Sequence, residues 1–204
     1  MYKKVGILGG TFNPIHIGHL MIGEQAYSVC DLDTVLVMPS AKPPHKSDSN
    51  ILDEKHRSKM VKLAISGNKH FEYSDFELTR EGYIYTSDTL EILTKSHPDT
   101  KYYFILGEDS LMDIEKWYKP DTVLKLCTIA VIHRNNEQTD DELDNQIKYL
   151  QTKYNAVIIK LDMPRIDISS TDIRNRVQAH RTIKYMVPSD VENYIYQNDL
   201  YREG

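Results

Sequence analysis

Cysteine is scarce in this chain: Cys30 and Cys127 are the only two, far apart and without metal-ligand spacing. That excludes a disulfide framework and leaves both as reduced core residues of a cytoplasmic protein. There is no apolar run of 18 or more residues, which excludes a membrane-spanning helix and a membrane partner. The start, Met1-Tyr2-Lys3-Lys4, enters a strand pattern at once, without the apolar stretch and small-residue cleavage site of a signal peptide. A basic excess is also missing, since the formal net charge is −5. A general nucleic-acid surface is therefore excluded. An anionic substrate must be held by a local positive site rather than by the overall field. Internal repeats and low-complexity tracts are absent. What remains is 204 residues, 40% hydrophobic and 27% charged, the profile of one globular domain over residues 1–204.

Short β-branched or aromatic runs alternate with helical patterns. The strand runs are Val5–Leu8, Thr34–Met38, Phe71–Ser74, Tyr102–Leu106, Thr128–His133 and Ala156–Lys160. Helical spacing is found near Gly18–Cys30, Asp53–Ser66, Ser87–Ser96, Ser110–Glu115 and Asp140–Tyr154, and again near Ser170–Val177 and Ser189–Gln197. This alternation predicts βαβ units and a parallel α/β sheet. Such sheets bind ligands at the carboxyl ends of their strands, where the strand order reverses. Ala41–Asn50 holds Pro43-Pro44 and several polar residues, and reads as the loop after the second strand.

The most informative stretch lies behind the first strand. Val5-Gly6-Ile7-Leu8 runs into Gly9-Gly10-Thr11-Phe12-Asn13-Pro14 and then His16-Ile17-Gly18-His19. Glycines let a phosphate approach the backbone, because no side chain blocks it. A helix start offers unpaired N–H groups and a partial positive charge. Histidines three apart on a helix share one face, with Cβ atoms about 5–6 Å apart. Each ring can donate to a phosphate oxygen. No third ligand with suitable spacing accompanies them, so zinc is disfavoured. Thr11 either donates its hydroxyl to phosphate or caps the turn.

A second constellation is Ile168-Ser169-Ser170-Thr171-Asp172-Ile173-Arg174. Taken alone, it is a well-capped helix start. A hydroxyl-rich start with an arginine one turn inside is also an anion cradle. Two phosphate sites in one small domain suit a polyphosphate such as ATP.

Together the two stretches resemble the HxGH nucleotidyltransferase superfamily. Class I tRNA synthetases also carry a literal HIGH, but they need a KMSKS-type loop and an anticodon-binding region, and this chain shows neither. The wider pattern resembles bacterial nicotinate-nucleotide adenylyltransferase. The likeness runs from Gly9-Gly10-Thr11-Phe12 through Pro39-Ser40, Pro43-Pro44-His45-Lys46, Tyr85-Thr86 and Asp88-Thr89-Leu90. It continues through Leu106-Gly107-Glu108-Asp109-Ser110-Leu111, Lys116-Trp117-Tyr118 and Ile168–Arg174, and ends in Val187-Pro188 with Val191, Tyr194-Ile195 and Leu200-Tyr201. The tail is the weakest piece, since those residues also suit plain core.

The resemblance implies a Rossmann-like, doubly wound parallel sheet with helices on both faces and a small C-terminal helical part. It implies adenylyl transfer from ATP to nicotinate mononucleotide, giving deamido-NAD and pyrophosphate in NAD biosynthesis. His16, His19, Thr11 and Arg174 would hold the ATP phosphates. The turn Gly9, Gly10, Thr11, Phe12 and the backbone of Ile168, Ser169, Ser170 and Thr171 would seat ATP, with Gly107 and Asp109 facing its ribose. Thr86, Trp117 and the backbone of Tyr118 would hold the pyridine ring and its carboxylate. Lys46 would reach the phosphate of the mononucleotide, with Arg134 helping. Mg²⁺ would come with ATP, bridging phosphates, with few or no direct protein ligands.

The residues support several of these roles independently. Trp117 is the only tryptophan, and an indole face suits a cationic pyridinium ring, though without the resemblance a core aromatic is the preferred reading. Lys46 is otherwise an exposed lysine. Asp109 and Thr86 also suit helix caps. Three departures stand out. Asn13 replaces a common Asp and carries no acid–base role, Arg134-Asn135-Asn136 replaces a commoner Arg-Pro-Gly, and Ile84 replaces a frequent Ser. The alternatives are a related enzyme acting on nicotinamide mononucleotide or phosphopantetheine, and a nucleotide-binding regulator without catalysis. The sequence leaves open whether the chain forms a homo-oligomer.

Overall fold

The computed structural model describes residues 3–41, 51–134 and 140–202, with 134 and 140 as backbone only. Its strands are β1 (Lys3–Gly10), β2 (Thr34–Pro39), β3 (Phe71–Tyr73), β4 (Thr100–Gly107), β5 (Thr128–Arg134) and β6 (Val157–Met163). They form one six-stranded sheet of order β3-β2-β1-β4-β5-β6. Every pairing is parallel. The helices are α1 (Ile17–Cys30), α2 (Glu54–Ile65), α3 (Thr86–Ser96), α4 (Glu108–Met112), α5 (Pro120–Leu126), α6 (Asp140–Tyr154), α7 (Ser170–Gln178) and α8 (Ser189–Gln197). The sheet is parallel α/β, as the alternation predicts, and Rossmann-like, as the resemblance implies.

The strands are apolar on both faces because both faces are covered. Side chains alternate with period two. Leu8, Ile105, Ala130 and Ile132 face one core with Ala26 of α1, Val61 of α2, Ile173 of α7 and Val191 of α8. Ile7, Leu106, Ile129 and Val131 face the other with Leu90 of α3, Leu111 of α4, Val123 of α5 and Leu150 of α6. The chain winds outward through β2 and β3, then returns to lay β4 on the far side of β1. That reversal opens a crevice between the carboxyl ends of β1 and β4.

Three local expectations are corrected. The helix expected near Ser110–Glu115 is α4 followed by a 3₁₀ turn, Ile114–Lys116. The last strand runs on to Met163 rather than ending at Lys160. Helix α5 has no counterpart among the sequence patterns. It is seven residues long and opens on Pro120, whose fixed φ and missing N–H suit the first helical position.

Candidate active site

Gly9 and Gly10 close β1, and the chain then turns sharply. Phe12 sits in the left-handed region at φ 49° and is buried under the turn. A Cβ on Gly10 would stand 2.9 Å from the Phe12 ring, so only glycine admits that packing. A Cβ on Gly9 would meet only Phe104, at 3.8 Å, and one on Gly107 would meet nothing within 4 Å. The glycines at the ends of β1 and β4 thus border open space, while Gly10 serves the fold.

The main-chain oxygens of this turn are held from four directions. The oxygen of Gly10 accepts from the N–H of Ser40 at 2.8 Å. That of Thr11 accepts from Arg57 Nη1 at 2.8 Å, and that of Asn13 from Arg174 Nη1 at 2.9 Å. That of Pro14 accepts from Ser170 Oγ at 2.8 Å. Arg57 is buried and also donates to the oxygens of Ser40 (2.9 Å) and Leu52 (3.2 Å). Burial pushes its pKa down, yet it remains a cation because its carbonyl partners accept from the charged form.

Helix α1 opens on His16 as its N-cap, in extended conformation. The His16 N–H donates to Nδ1 of His19 at 3.2 Å. A main-chain N–H can only donate, so that nitrogen carries a lone pair and the ring proton of His19 sits on Nε2. The two rings stack with centroids 3.7 Å apart and planes 26° apart, and Phe12 meets His19 edge-on at 5.0 Å. Gly18 lies beneath: a Cβ there would stand 3.1 Å from Nδ1 of His16.

Helix α7 faces this pair. Ser169 caps it, its Oγ accepting from the Asp172 N–H at 3.1 Å. One turn inside, Arg174 is half-buried, with Nη2 donating to Thr171 Oγ1 at 3.3 Å. Between α1 and α7 lies a cavity of about 280 Å³. Its polar wall is His16, His19, Ser169 and Ser170, and its apolar wall is Ile22, Met163, Ile166 and Ile168. Imidazoles, hydroxyls and helix N–H groups on one side with aliphatic carbon on the other suit a phosphate joined to a flat heterocycle.

Across β4 stands an aromatic patch. Trp117 meets Phe104 edge-on at 6.0 Å and is half-buried, so it is not the fully enclosed core residue its type also allows. Tyr118 is exposed and packs on Tyr85 at 4.4 Å, beside Thr86. Glu115 pins the turn that carries Trp117, accepting from Lys153 at 2.8 Å and Tyr154 at 2.7 Å on α6. His133 of β5, fully buried, bonds through Nδ1 to Glu108 at 3.1 Å, tying β5 to the segment between Gly107 and Asp109.

The structure therefore brings Gly9, Gly10, Thr11, Phe12, His16 and His19 together with Ile168, Ser169, Ser170, Thr171 and Arg174. Gly107 and Asp109 stand at the end of β4, with Thr86, Trp117 and Tyr118 in the aromatic patch. Lys46 and the side chain of Arg134 lie outside the described residues. Two capping roles are corrected. The N-cap of α3 is Tyr85, which makes Thr86 the first helical residue, and that of α4 is Gly107, which makes Asp109 the second. Sequence reasoning missed Arg57. Its signal was a cation in phase with Met60, Val61 and Ile65 on the buried face of α2. Among the described residues, no group of three His, Cys, Asp or Glu could hold a metal ion, and no helix is long and apolar enough to cross a membrane.

A family model described as cytidylyltransferase-like matches residues 7–176. The probable nicotinate-nucleotide adenylyltransferase of Lachnoclostridium phytofermentans is 44% identical over 199 residues, covering 98% of this chain and 99% of that one. That of Clostridium novyi is 43% identical over 200 residues, covering 98% and 100%. Among solved structures, Plasmodium falciparum nicotinic acid mononucleotide adenylyltransferase complexed with NaAD superposes with a TM-score of 0.81 at 21% identity, covering 98% of each chain. The same enzyme complexed with APC gives a TM-score of 0.78 at 20% identity, again covering 98% of each. Those two likenesses concern the fold. The sequence relatives, matched end to end, place this chain in the nicotinate-nucleotide adenylyltransferase family of the cytidylyltransferase-like nucleotidyltransferases.

Proposed function

We propose that this protein transfers the adenylyl group of ATP to nicotinate mononucleotide, forming deamido-NAD and pyrophosphate. The observation that carries this reading is the apposition of the His16–His19 pair with the α7 start across one cavity, with Arg174 braced on the Asn13 oxygen. The apolar wall of that cavity takes the adenine, and the imidazoles and the α7 N–H groups take the triphosphate. The aromatic patch around Trp117 takes the pyridinium ring, whose positive charge suits an indole face. Family membership and end-to-end relatives that bear this activity's name support the same assignment.

An oxygen of the mononucleotide phosphate attacks the α-phosphorus in line. The bond from that phosphorus to the oxygen bridging to the β-phosphate breaks, and pyrophosphate leaves with the electron pair. The attacking phosphate is already an anion near neutral pH, so no general base is required. Catalysis lies in holding two anions together and stabilising the charge that develops on the transferred group. The Nε2 proton of His19 and the guanidinium of Arg174 donate to phosphate oxygens, with His16 beside them. Lys46 is assigned to the mononucleotide phosphate.

The polar groups facing the cavity are imidazoles and hydroxyls without a carboxylate among them, which fit phosphate oxygens rather than a metal cage. Mg²⁺ carried on the triphosphate would add charge neutralisation there. Cys30 and Cys127 are unpaired, which supports a cytoplasmic location.

Pyrophosphate release from ATP plus nicotinate mononucleotide tests the function. ATP binding without release would favour a regulator instead. Comparing kcat/KM for nicotinate and nicotinamide mononucleotides decides the acceptor, and equal values would remove the nicotinate assignment.

A further inference from the structure

The chain returns to its own beginning at the site. Tyr201 lies near the C-terminus, yet its hydroxyl donates to Oδ1 of Asn13 at 3.0 Å, across 188 positions of sequence. The same oxygen accepts from the Leu52 N–H at 3.3 Å. Asn13 is 4% exposed, so this oxygen depends on protein donors. Its main-chain oxygen holds Arg174, and its neighbours Thr11 and Pro14 are held by Arg57 and Ser170. Tyr201 sits at φ 63°, a left-handed conformation costly for a residue with a Cβ. Asp199, two residues earlier, is also left-handed at φ 50°. The tail spends backbone energy in a conformation that delivers one hydroxyl.

We propose that Tyr201 is a positioning residue of the phosphate site: through Asn13 it sets the main-chain oxygen that aims Arg174. Burial pushes the Tyr201 hydroxyl's pKa up, while Arg174 and Arg57 nearby pull it back. The hydroxyl keeps its proton and serves as the donor that Asn13 Oδ1 requires. Asn13 presents its side-chain oxygen to Tyr201 and Leu52, and an aspartate at this position would supply the same acceptor atom. The inference rests on the reading of Arg174 as a ligand of the ATP phosphates.

Calorimetric ATP affinity and steady-state rates are to be measured for wild type, Tyr201→Phe, Arg174→Ala and their double variant. Tyr201→Phe removes one oxygen and keeps the ring. It is expected to weaken ATP binding and lower kcat/KM for ATP about fivefold, on the scale of one hydrogen bond. The KM for the mononucleotide should not change. In the Arg174→Ala background the same substitution should cost less than twofold, because the group it positions is gone. The proposal is overturned if Tyr201→Phe binds and turns over ATP like wild type, or if its penalty multiplies fully with that of Arg174→Ala. A wild-type protein that binds ATP but transfers nothing would end the functional reading, while the affinities would still decide the role of Tyr201.

Discussion

The His16 N–H and the Nδ1 of His19 are 3.2 Å apart, and that one bond caps α1 while fixing which nitrogen of His19 faces outward. The cap and the outward-facing donor are separable by substitution. His19→Asn keeps an acceptor near the Nδ1 position but loses the reach of Nε2. It should hold its melting temperature near wild type while kcat falls a hundredfold or more, about 3 kcal/mol. His19→Ala should lose as much turnover and about 1 kcal/mol of stability as well. Thermal melts beside kcat measurements check both, and near-normal turnover in either variant would remove His19 from the phosphate site.

Arg174 braces itself on Asn13 through Nη1 and on Thr171 through Nη2, two partners that the fork of one guanidinium reaches together. Arg174→Lys should therefore lower kcat/KM for ATP about a hundredfold, despite keeping the charge. A loss below threefold would show that charge alone suffices.

Gly18 lies in the first turn of α1, where alanine is the better helix former by about 0.5–1 kcal/mol. A Cβ there would press on the His16 ring at 3.1 Å. Gly18→Ala is expected to keep its melting temperature at or above wild type while turnover falls about tenfold through ring displacement. Wild-type turnover in that variant would show that the position of His16 is not critical.

Glu77 accepts from Thr89 Oγ1 at 3.0 Å in a largely enclosed position. Burial pushes its pKa above the ordinary carboxylate range, with Thr89 and Arg80 opposing. The folded protein thus holds this proton more tightly than the unfolded chain. Its contribution to stability is full at pH below the unfolded pKa and is lost as pH rises through the raised value. Glu77→Gln, permanently neutral, should gain stability relative to wild type as pH rises through that window and keep the gain above it. Urea unfolding at several pH values reads this, and a difference independent of pH would refute it.

Trp117 is the only tryptophan, so fluorescence excited selectively in tryptophan reports its surroundings alone. Nicotinate mononucleotide should quench it at saturating concentration. Trp117→Ala should raise the KM for the mononucleotide tenfold or more with little change for ATP, consistent with loss of a stacked cation–π contact. Unquenched emission with substrate bound would place the ring elsewhere.

Much of the fold was legible because parallel strands covered on both faces need continuous apolar runs, and β1, β2, β4 and β5 are such runs. Helix α7 was legible from its hydroxyl cap. Helix α5 was not, since seven residues opening on Pro120 carry too little periodicity. Arg57 was passed over because a cation on an apolar stripe has meaning only once its three carbonyl partners, from three separate segments, are known. The bonding role of the Asn13 side chain was hidden for the same reason, as its partners Leu52 and Tyr201 are distant in sequence.

The sequence by itself determined the alternation of strand and helix, the glycine turn, the histidine spacing and the capped helix with its arginine, because each is a local matter of backbone freedom and periodicity. Tertiary structure decided where Arg174 is braced, which carbonyls hold Arg57, and that Tyr201 bonds to Asn13. Those depend on hydrogen bonds between segments whose distance and angle no local pattern encodes.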